Sequence, residues 1–220
     1  MITSQAKSTE TYPGDTPLMI GYLRELEVEH SDVIYQRVEY IQSTGTQYIN
    51  TKLDLFSTDN HRIVLDFAPT QFYNFNTLWG SSYDGDTYEA WVYGDKKLAA
   101  RYNKIRYGSD NSLTLNTRYL LDLKKENTSL SKYVNNSLIG TGTSSSKKVN
   151  SSFYLFLSGT DYGKYKLYSC QLYRDDVLLR DFVPVYRKKD NIAGLYDTVN
   201  DVFYTNAATS GDDFTVGPDV

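Results

Sequence analysis

Apolar and polar positions alternate over short stretches along most of this chain. The clearest stretch is 163–185, GKYKLYSCQLYRDDVLLRDFVPV, where Tyr, Leu, Val and Phe alternate with polar or charged residues. Successive side chains of a strand point to opposite faces, so the alternation predicts strands with one face in water. We predict a hairpin of strands 164–173 and 177–183 joined at residues 174–176. Pro184 lacks an amide donor and is predicted to end the second strand.

The same pattern recurs in short runs bounded by Gly, Asn, Asp or Pro. The remaining predicted strand regions are 38–53 (two strands about a turn at 43–45), 62–67, 72–93, 98–102, 105–107, 118–123, 130–134, 138–140, 153–157, 193–196, 202–204 and 214–216. Within 72–93, breaks are expected at 80–82 and 84–86. About a dozen short strands at near-regular spacing, without a convincing helix, predict an all-β protein built as a two-sheet antiparallel sandwich.

The first 35 residues differ from the rest. Residues 1–17 are polar and show no period, which predicts an extended arm. Residues 18–36 contain ELEVE at 25–29, which alternates like a strand but would also tolerate a helix; we favour the strand. The predicted organisation is an N-terminal arm and assembly segment at 1–35, followed by one domain at 36–220. A chain of 220 residues suits a single all-β domain.

Composition narrows the functional classes. The net charge is −4, and no basic patch is visible, which disfavours nucleic acid as a partner. No run reaches the apolar length of a membrane helix, and the first residues lack the layout of a secretory signal. The single Cys170 excludes an internal disulfide, and its place in a strand predicts a small buried hydrophobe.

Three ordered stretches resemble one known family. Residues 38–51 (VEYIQSTGTQYINT), 163–185, and 194–206 (GLYDTVNDVFYTN) are similar to the opening signature, central hairpin and closing signature of a jelly-roll family with the concanavalin A-like lectin/glucanase fold. Residues 1–35 lie outside this pattern, and 207–213 is longer than the short turn expected there.

The resemblance implies a laminin G-like sandwich used for adhesion or virion assembly, usually without assigned catalytic residues. Such domains occur in bacteriophage structural proteins and in surface proteins of gut bacteria. The signature residues themselves suggest structural roles: three glycines suit turns with positive φ, three aromatic residues pack, and two polar residues bond to turn backbone. These are Gly45, Gly163 and Gly194; Tyr196, Phe203 and Tyr204; and Asp197 and Asn200.

Candidate catalytic residues are few. Glu25, Glu27 and Glu29 would share one face of a strand at a spacing compatible with a glycosidase pair, but they precede the domain, so a solvated strand face is favoured. His30 and His61 lie in polar, turn-like settings without a nucleophile motif, and a surface role is expected for both. Scattered Asp pairs suit turns better than a calcium site. We therefore predict no enzyme, no catalytic residues, no metal and no cofactor.

A glycan site needs exposed aromatic faces beside carboxylates or amides. The aromatic region 72–93 supplies both, in or beside its loops. The candidate glycan-binding residues are Tyr73, Asn74, Tyr83, Asp84, Asp86 and Tyr88. Trp79 and Trp91 lie inside apolar strands and are expected in the core.

The leading expectation is a non-enzymatic bacteriophage virion component, such as a head decoration, fibre or tail protein, that displays a lectin-like domain toward glycans. It would assemble in the host cytoplasm as a homo-oligomer and dock onto other virion proteins through its arm. One alternative is a carbohydrate-binding adhesin on a bacterial cell surface. The other is a glycoside hydrolase with the glucanase-like fold.

Overall fold

The structure of the protein is a computed structural model. It describes residues 34–220 except 59, 84, 85, 104, 145–147 and 210, and at residues 82, 83, 86, 105 and 107–111 it describes the backbone alone. Residues Tyr35–Val220 form one compact unit. The arm predicted at 1–35, including the Glu25–Glu29 alternation and His30, lies outside the described residues, apart from residues 34 and 35.

The described residues form short strands with one 3-10 turn at Leu55–Ser57. The strands are β1 (Tyr35–Arg37), β2 (Ile41–Gln42), β3 (Ile49–Asn50), β4 (His61–Pro69), β5 (Asn76–Tyr83), β6 (Asp86–Val92), β7 (Lys97–Tyr102), β8 (Ile105–Ser112), β9 (Tyr119–Glu126), β10 (Ser129–Val134), β11 (Ser137–Thr143), β12 (Tyr154–Leu155), β13 (Leu157–Ser158), β14 (Asp161–Tyr162), β15 (Tyr165–Arg174), β16 (Val177–Arg187), β17 (Ile192–Asp197), β18 (Val202–Thr205) and β19 (Thr215–Val216). Within this part of the chain, no helix is long and apolar enough to cross a membrane.

These strands pair antiparallel in two main sheets. The larger sheet has the order β11-β10-β9-β4-β15-β16-β17-β18, with β1 against β16 and β2 between β15 and β19. The smaller sheet has the order β3-β12-β5-β6-β7-β8, and β13 and β14 form a separate hairpin. The predicted all-β antiparallel sandwich is therefore confirmed.

The core lies between the two sheets and follows the alternation of the sequence. In β4, Ile63, Leu65 and Phe67 face the core, while in β6 the inward residues are Tyr88 and Ala90. Each large apolar side chain buried in this way contributes about 1.5–3 kcal/mol to folding. Cys170 is fully buried in β15, as predicted, and burial raises the pKa of its thiol.

The central hairpin was predicted correctly at its turn and incorrectly at its end. Asp175 and Asp176 have φ angles of 48° and 60° between paired residues Arg174 and Val177, which is the two-residue turn that suits twisted strands. However, β16 continues through Pro184 to Arg187. The carbonyl oxygen of Pro184 accepts a hydrogen bond from Val38 just beyond β1, on the side where the neighbour of β16 changes from β15 to β1. Pro184, which has no amide hydrogen to donate, therefore lies between the hydrogen-bond ladder of β16 with β15 and that of β16 with β1.

The glycines of the three signatures serve two different purposes. Gly45 has a φ of 105°, as predicted. Gly163 and Gly194 do not have positive φ, so that expectation is wrong for them. A β-carbon on Gly163 would lie 2.0 Å from the Thr77 oxygen, and one on Gly194 would lie 2.1 Å from the Tyr204 oxygen. These two positions require glycine because neighbouring backbone approaches closely.

The other signature residues have the structural roles expected of them. Asp197 is fully buried and accepts hydrogen bonds from the Val199 backbone and the Asn200 side chain. Asn200 also donates to the Leu179 oxygen. Aromatic packing joins the closing signature to its surroundings through the ring pairs Tyr35–Tyr196, Tyr35–Phe203 and Phe182–Tyr204.

Candidate functional site

The outer face of the smaller sheet carries a row of polar and aromatic side chains. Directly opposite residues on neighbouring strands share a face, and in β6 Glu89 and Trp91 point away from the core that Tyr88 and Ala90 enter. Cross-strand register places six residues in one row over β3, β12, β5, β6, β7 and β8. They are Asn50, Tyr154, Gly80, Glu89, Arg101 and Arg106.

The hairpin of β13 and β14 crosses this face at Gly80. Phe156 begins the crossing with a φ of 68°, an uncommon conformation for a bulky residue. Its ring is fully buried and stacks on Tyr165 at 4.2 Å between centroids, which holds the turn in place. The segment that follows lies against Gly80, where no side chain would fit.

Beside the hairpin the face forms a pocket of about 260 Å³. Its lining residues are Tyr48, Gly80, Ser81, Ser151, Tyr154, Leu157, Ser158 and Gly159. The ring of Tyr48 packs 5.9 Å from Tyr154 and 6.4 Å from Tyr162, measured between centroids, and all three are half-buried. Aromatic walls next to hydroxyl groups suit a small ligand with both apolar faces and polar edges.

A charged network supports one side of this pocket. Glu89 is 7% exposed and accepts hydrogen bonds from the Ser158 hydroxyl and from the Arg101 guanidinium. Arg101 also lies 5.8 Å from the centre of the Trp91 ring. The carboxylate of Glu89 is therefore neutralised by a neighbour and hydrogen-bonded, as a buried charge requires.

An aromatic cluster lies beyond this network on the same face. Trp91 is 3% exposed and packs against Phe75, which is 43% exposed, and against Tyr93. Trp79 lies in the core, as predicted. Trp91 is buried, but outside the core between the sheets, because its position in β6 points to the opposite face.

The six glycan-binding residues predicted from the sequence do not come together as one described site. Tyr88 is 1% exposed and stacks on Phe56 inside the core, so its predicted exposure is wrong. Tyr73 is half-buried, its hydroxyl donates to the Tyr162 backbone oxygen, and burial raises its pKa to about 12. Asn74 is exposed. Asp84 and the side chains of Tyr83 and Asp86 lie outside the described part of the chain. Roles for Tyr73 and Asn74 stay predictions.

The position of His61 in the structure differs from the sequence prediction. His61 is 3% exposed, not on the surface, because it starts β4 on the core face between Phe56 and Tyr102. Burial, and then the charge of Lys125, lower its pKa to about 3. Among the described residues, no group of three or more His, Cys, Asp or Glu side chains could hold a metal ion.

The sequence did not identify the residues that line the pocket. Tyr48 and Tyr154 were placed correctly in extended segments, but they are 106 positions apart and meet only through the pairing of β3 with β12. The available signal was local: Tyr48 precedes buried Ile49, and Tyr154 precedes buried Leu155, so both tyrosines face away from the core. Which faces meet cannot be read from a single sequence.

No protein-family model matches the chain, and no curated protein matches it. Solved structures do share its fold. The CBM40 module of the Ruminococcus gnavus IT-sialidase bound to alpha2,3 sialyllactose has a TM-score of 0.54 and 13% identity, covering 66% of this chain and 93% of its own. The same module bound to alpha2,6 sialyllactose has a TM-score of 0.52, 13% identity and coverages of 66% and 94%.

A third similar structure is a proposed carbohydrate-binding protein from Bacteroides ovatus, with a TM-score of 0.58 and 13% identity. The alignment covers 82% of this chain and 60% of that protein, so the chain spans less than two thirds of that protein's length. At this identity the likeness shows the fold alone. Together with the sheet topology, it shows that the protein has the fold of an antiparallel jelly-roll sandwich.

Proposed function

We propose that this chain is a non-catalytic carbohydrate-binding module that takes a glycan in the pocket on the outer face of the smaller sheet. The observation that carries the proposal is the pair of tyrosine rings, Tyr48 and Tyr154, on the wall of a 260 Å³ pocket that Ser158 also lines. Sugar rings offer apolar C–H faces and hydroxyl edges. A tyrosine face and a neighbouring hydroxyl complement these two surfaces.

The similar structures support the ligand class. The CBM40 module with this fold was solved with sialyllactose bound, and the Bacteroides ovatus protein is described in terms of carbohydrate binding. Fold alone does not carry function, so the proposal depends on the pocket itself.

A single shallow pocket of this size suits weak binding. At a dissociation constant of about 1 mM, the free energy of binding is about −4.1 kcal/mol. Many linked copies can raise the apparent affinity by about 10²–10⁴-fold. We therefore propose that the module is displayed as a homo-oligomer or on a particle that carries many copies.

For the biological setting, we propose a bacteriophage virion component, with residues 1–35 docking the domain onto other virion proteins. The support is the resemblance of the three sequence signatures to domains of phage structural proteins. The alternative is an adhesin module on a bacterial cell surface. Neighbouring capsid, portal or tail genes would support the virion, whereas a wall anchor or secretion signal in the full-length gene would favour the adhesin.

The pocket is tested by binding and mutation together. A glycan array followed by calorimetry should identify a glycan, and Tyr154→Ala and Tyr48→Ala should each weaken its binding by at least about tenfold. Tyr186→Ala is the matched control, because Tyr186 is also half-buried but lies in β16 of the larger sheet. Equal affinity of Tyr154→Ala and the unmutated protein would overturn the proposal. Release of sugar products by the unmutated protein would replace it with the hydrolase alternative.

A further inference from the structure

The Ser158 hydroxyl, on the outer face of the smaller sheet, already donates its hydrogen to the Glu89 carboxylate. Ser81 lies opposite Tyr88 and therefore faces the core side, where its hydroxyl donates to the Ser151 backbone oxygen at 3.3 Å. A hydroxyl carries one donor and two acceptor lone pairs. The Ser158 oxygen is therefore left as a hydrogen-bond acceptor toward a ligand in the pocket.

Glu89 fixes the direction of the Ser158 hydroxyl. An ionised carboxylate accepts hydrogen bonds and cannot donate one, so Ser158 cannot reverse its role. Hydrogen bonds to an ionised group are about twice as strong as those between neutral groups. Arg101 holds Glu89 by a further hydrogen bond, and Glu89 is almost completely buried behind Ser158. The ion pair of Glu89 and Arg101, which lies behind the pocket wall, therefore makes the Ser158 oxygen a hydrogen-bond acceptor toward the pocket.

Among the residues that the structure describes, none that lines the pocket is a cation. Its eight residues are tyrosine, glycine, serine and leucine, and the guanidinium of Arg101 is not among them. An anionic group that entered this pocket would lose water without gaining a counter-charge, which is strongly unfavourable. It would also approach the acceptor lone pairs of Ser158.

We infer that the pocket selects a neutral, hydroxyl-rich sugar and rejects sugars that carry a carboxylate, sulfate or phosphate at this position. This inference rests on the proposed function and names its ligand class. A hydroxyl group of such a sugar donates to Ser158 while one of the sugar's faces packs on Tyr48 or Tyr154. The selectivity differs from that of the structurally similar CBM40 module, whose bound ligand, sialyllactose, is acidic.

The experiment uses pairs of oligosaccharides that differ only in one acidic group, such as lactose and sialyllactose, or a neutral glycan and its sulfated form. Calorimetry on the full chain should show the neutral member bound at least about tenfold more tightly. Ser158→Ala should weaken binding of the neutral member about three- to tenfold, the effect of one lost hydrogen bond. Ser131→Ala, in β10 of the larger sheet, should leave it unchanged.

Glu89→Gln tests the cause of the selectivity. The amide can donate to Ser158, which frees the serine hydrogen to turn toward the ligand, and the negative charge behind it is removed. We expect the ratio of neutral to acidic affinity to fall by at least about threefold, with the fold checked by circular dichroism. Ser158→Ala provides an independent measurement if Glu89→Gln does not fold.

The outcomes separate the two proposals. If an acidic glycan binds as tightly as its neutral partner and Tyr154→Ala abolishes that binding, the inference on selectivity is wrong and the glycan-binding function stands. If no member of any pair binds, or if Tyr154→Ala has no effect, the proposed function fails and the inference fails with it.

Discussion

Ser158 lies directly on Gly80, on the outer face of the smaller sheet. A β-carbon placed on Gly80 would lie 2.4 Å from Cβ of Ser158 and 2.7 Å from the backbone oxygen of Leu157. Real β-carbons do not approach other atoms this closely. Gly80 is therefore the residue that lets the hairpin of β13 and β14 reach Glu89 and form one wall of the pocket on this face.

We expect Gly80→Ala to displace this hairpin. Overpacking of this kind costs about 1–3 kcal/mol of stability, and the displaced Ser158 should weaken glycan binding. Gly94→Ala is the control, because a β-carbon there would have its nearest neighbour at 3.4 Å, an ordinary contact. Its unfolding free energy should change by no more than about 0.5 kcal/mol. Urea denaturation and calorimetry measure both effects, and equal losses in the two variants would contradict the assignment.

The sequence predicted strands well and pairings poorly, for a physical reason. Alternation places Tyr88 and Glu89 on opposite faces of β6. Each face of that strand holds one aromatic residue, Tyr88 or Trp91, so the sequence pattern does not show which face is turned toward the core. The strand break predicted at 80–82 is wrong, because Gly80 is required by the close approach of the β13–β14 hairpin and not by a turn. The strand end predicted at Pro184 is wrong, because Pro184 lies where the neighbour of β16 changes from β15 to β1. Turns that depend on local geometry, such as Asp175 and Asp176, were predicted correctly.

Gln47 joins the opening signature to the C-terminal segment, and we expect its loss to destabilise the fold. Its side-chain oxygen accepts from the Thr44 backbone at 2.9 Å, and its nitrogen donates to the Asp212 oxygen at 2.9 Å. Gln47 is fully buried, so Gln47→Leu removes both hydrogen bonds, at a cost of about 0.5–1.5 kcal/mol each. Gln71→Leu, at an exposed site, is the control. Matching urea midpoints for the two variants would argue against this role.

The thiol of Cys170 should be unreactive in the folded protein. It is fully buried in β15, and burial raises its pKa, so the reactive thiolate is absent at neutral pH. We expect a thiol reagent to label it at the rate of global unfolding, and completely in denaturant. Ser137→Cys, at an exposed position of β11, supplies the fast-labelling control in the same chain. Rapid native labelling of Cys170 itself would show that β15 is accessible from solvent.

His61 should make the protein less stable as the pH falls. It lies in a cross-strand row between Lys125 and Arg174, and its pKa is lowered from 6.5 to about 3 by burial first and by the charge of Lys125 second. Between pH 6.5 and 3 the unfolded chain binds a proton that the folded chain does not, so stability declines by up to about 1.4 kcal/mol for each pH unit of acidification. His61→Phe keeps a ring beside Tyr102 but removes the proton, while carboxylates titrate equally in both proteins. Urea denaturation from pH 7 to pH 4 should therefore show the unmutated protein losing stability faster than His61→Phe. Parallel curves would mean that His61 accepts its proton in the folded state, which its burial opposes.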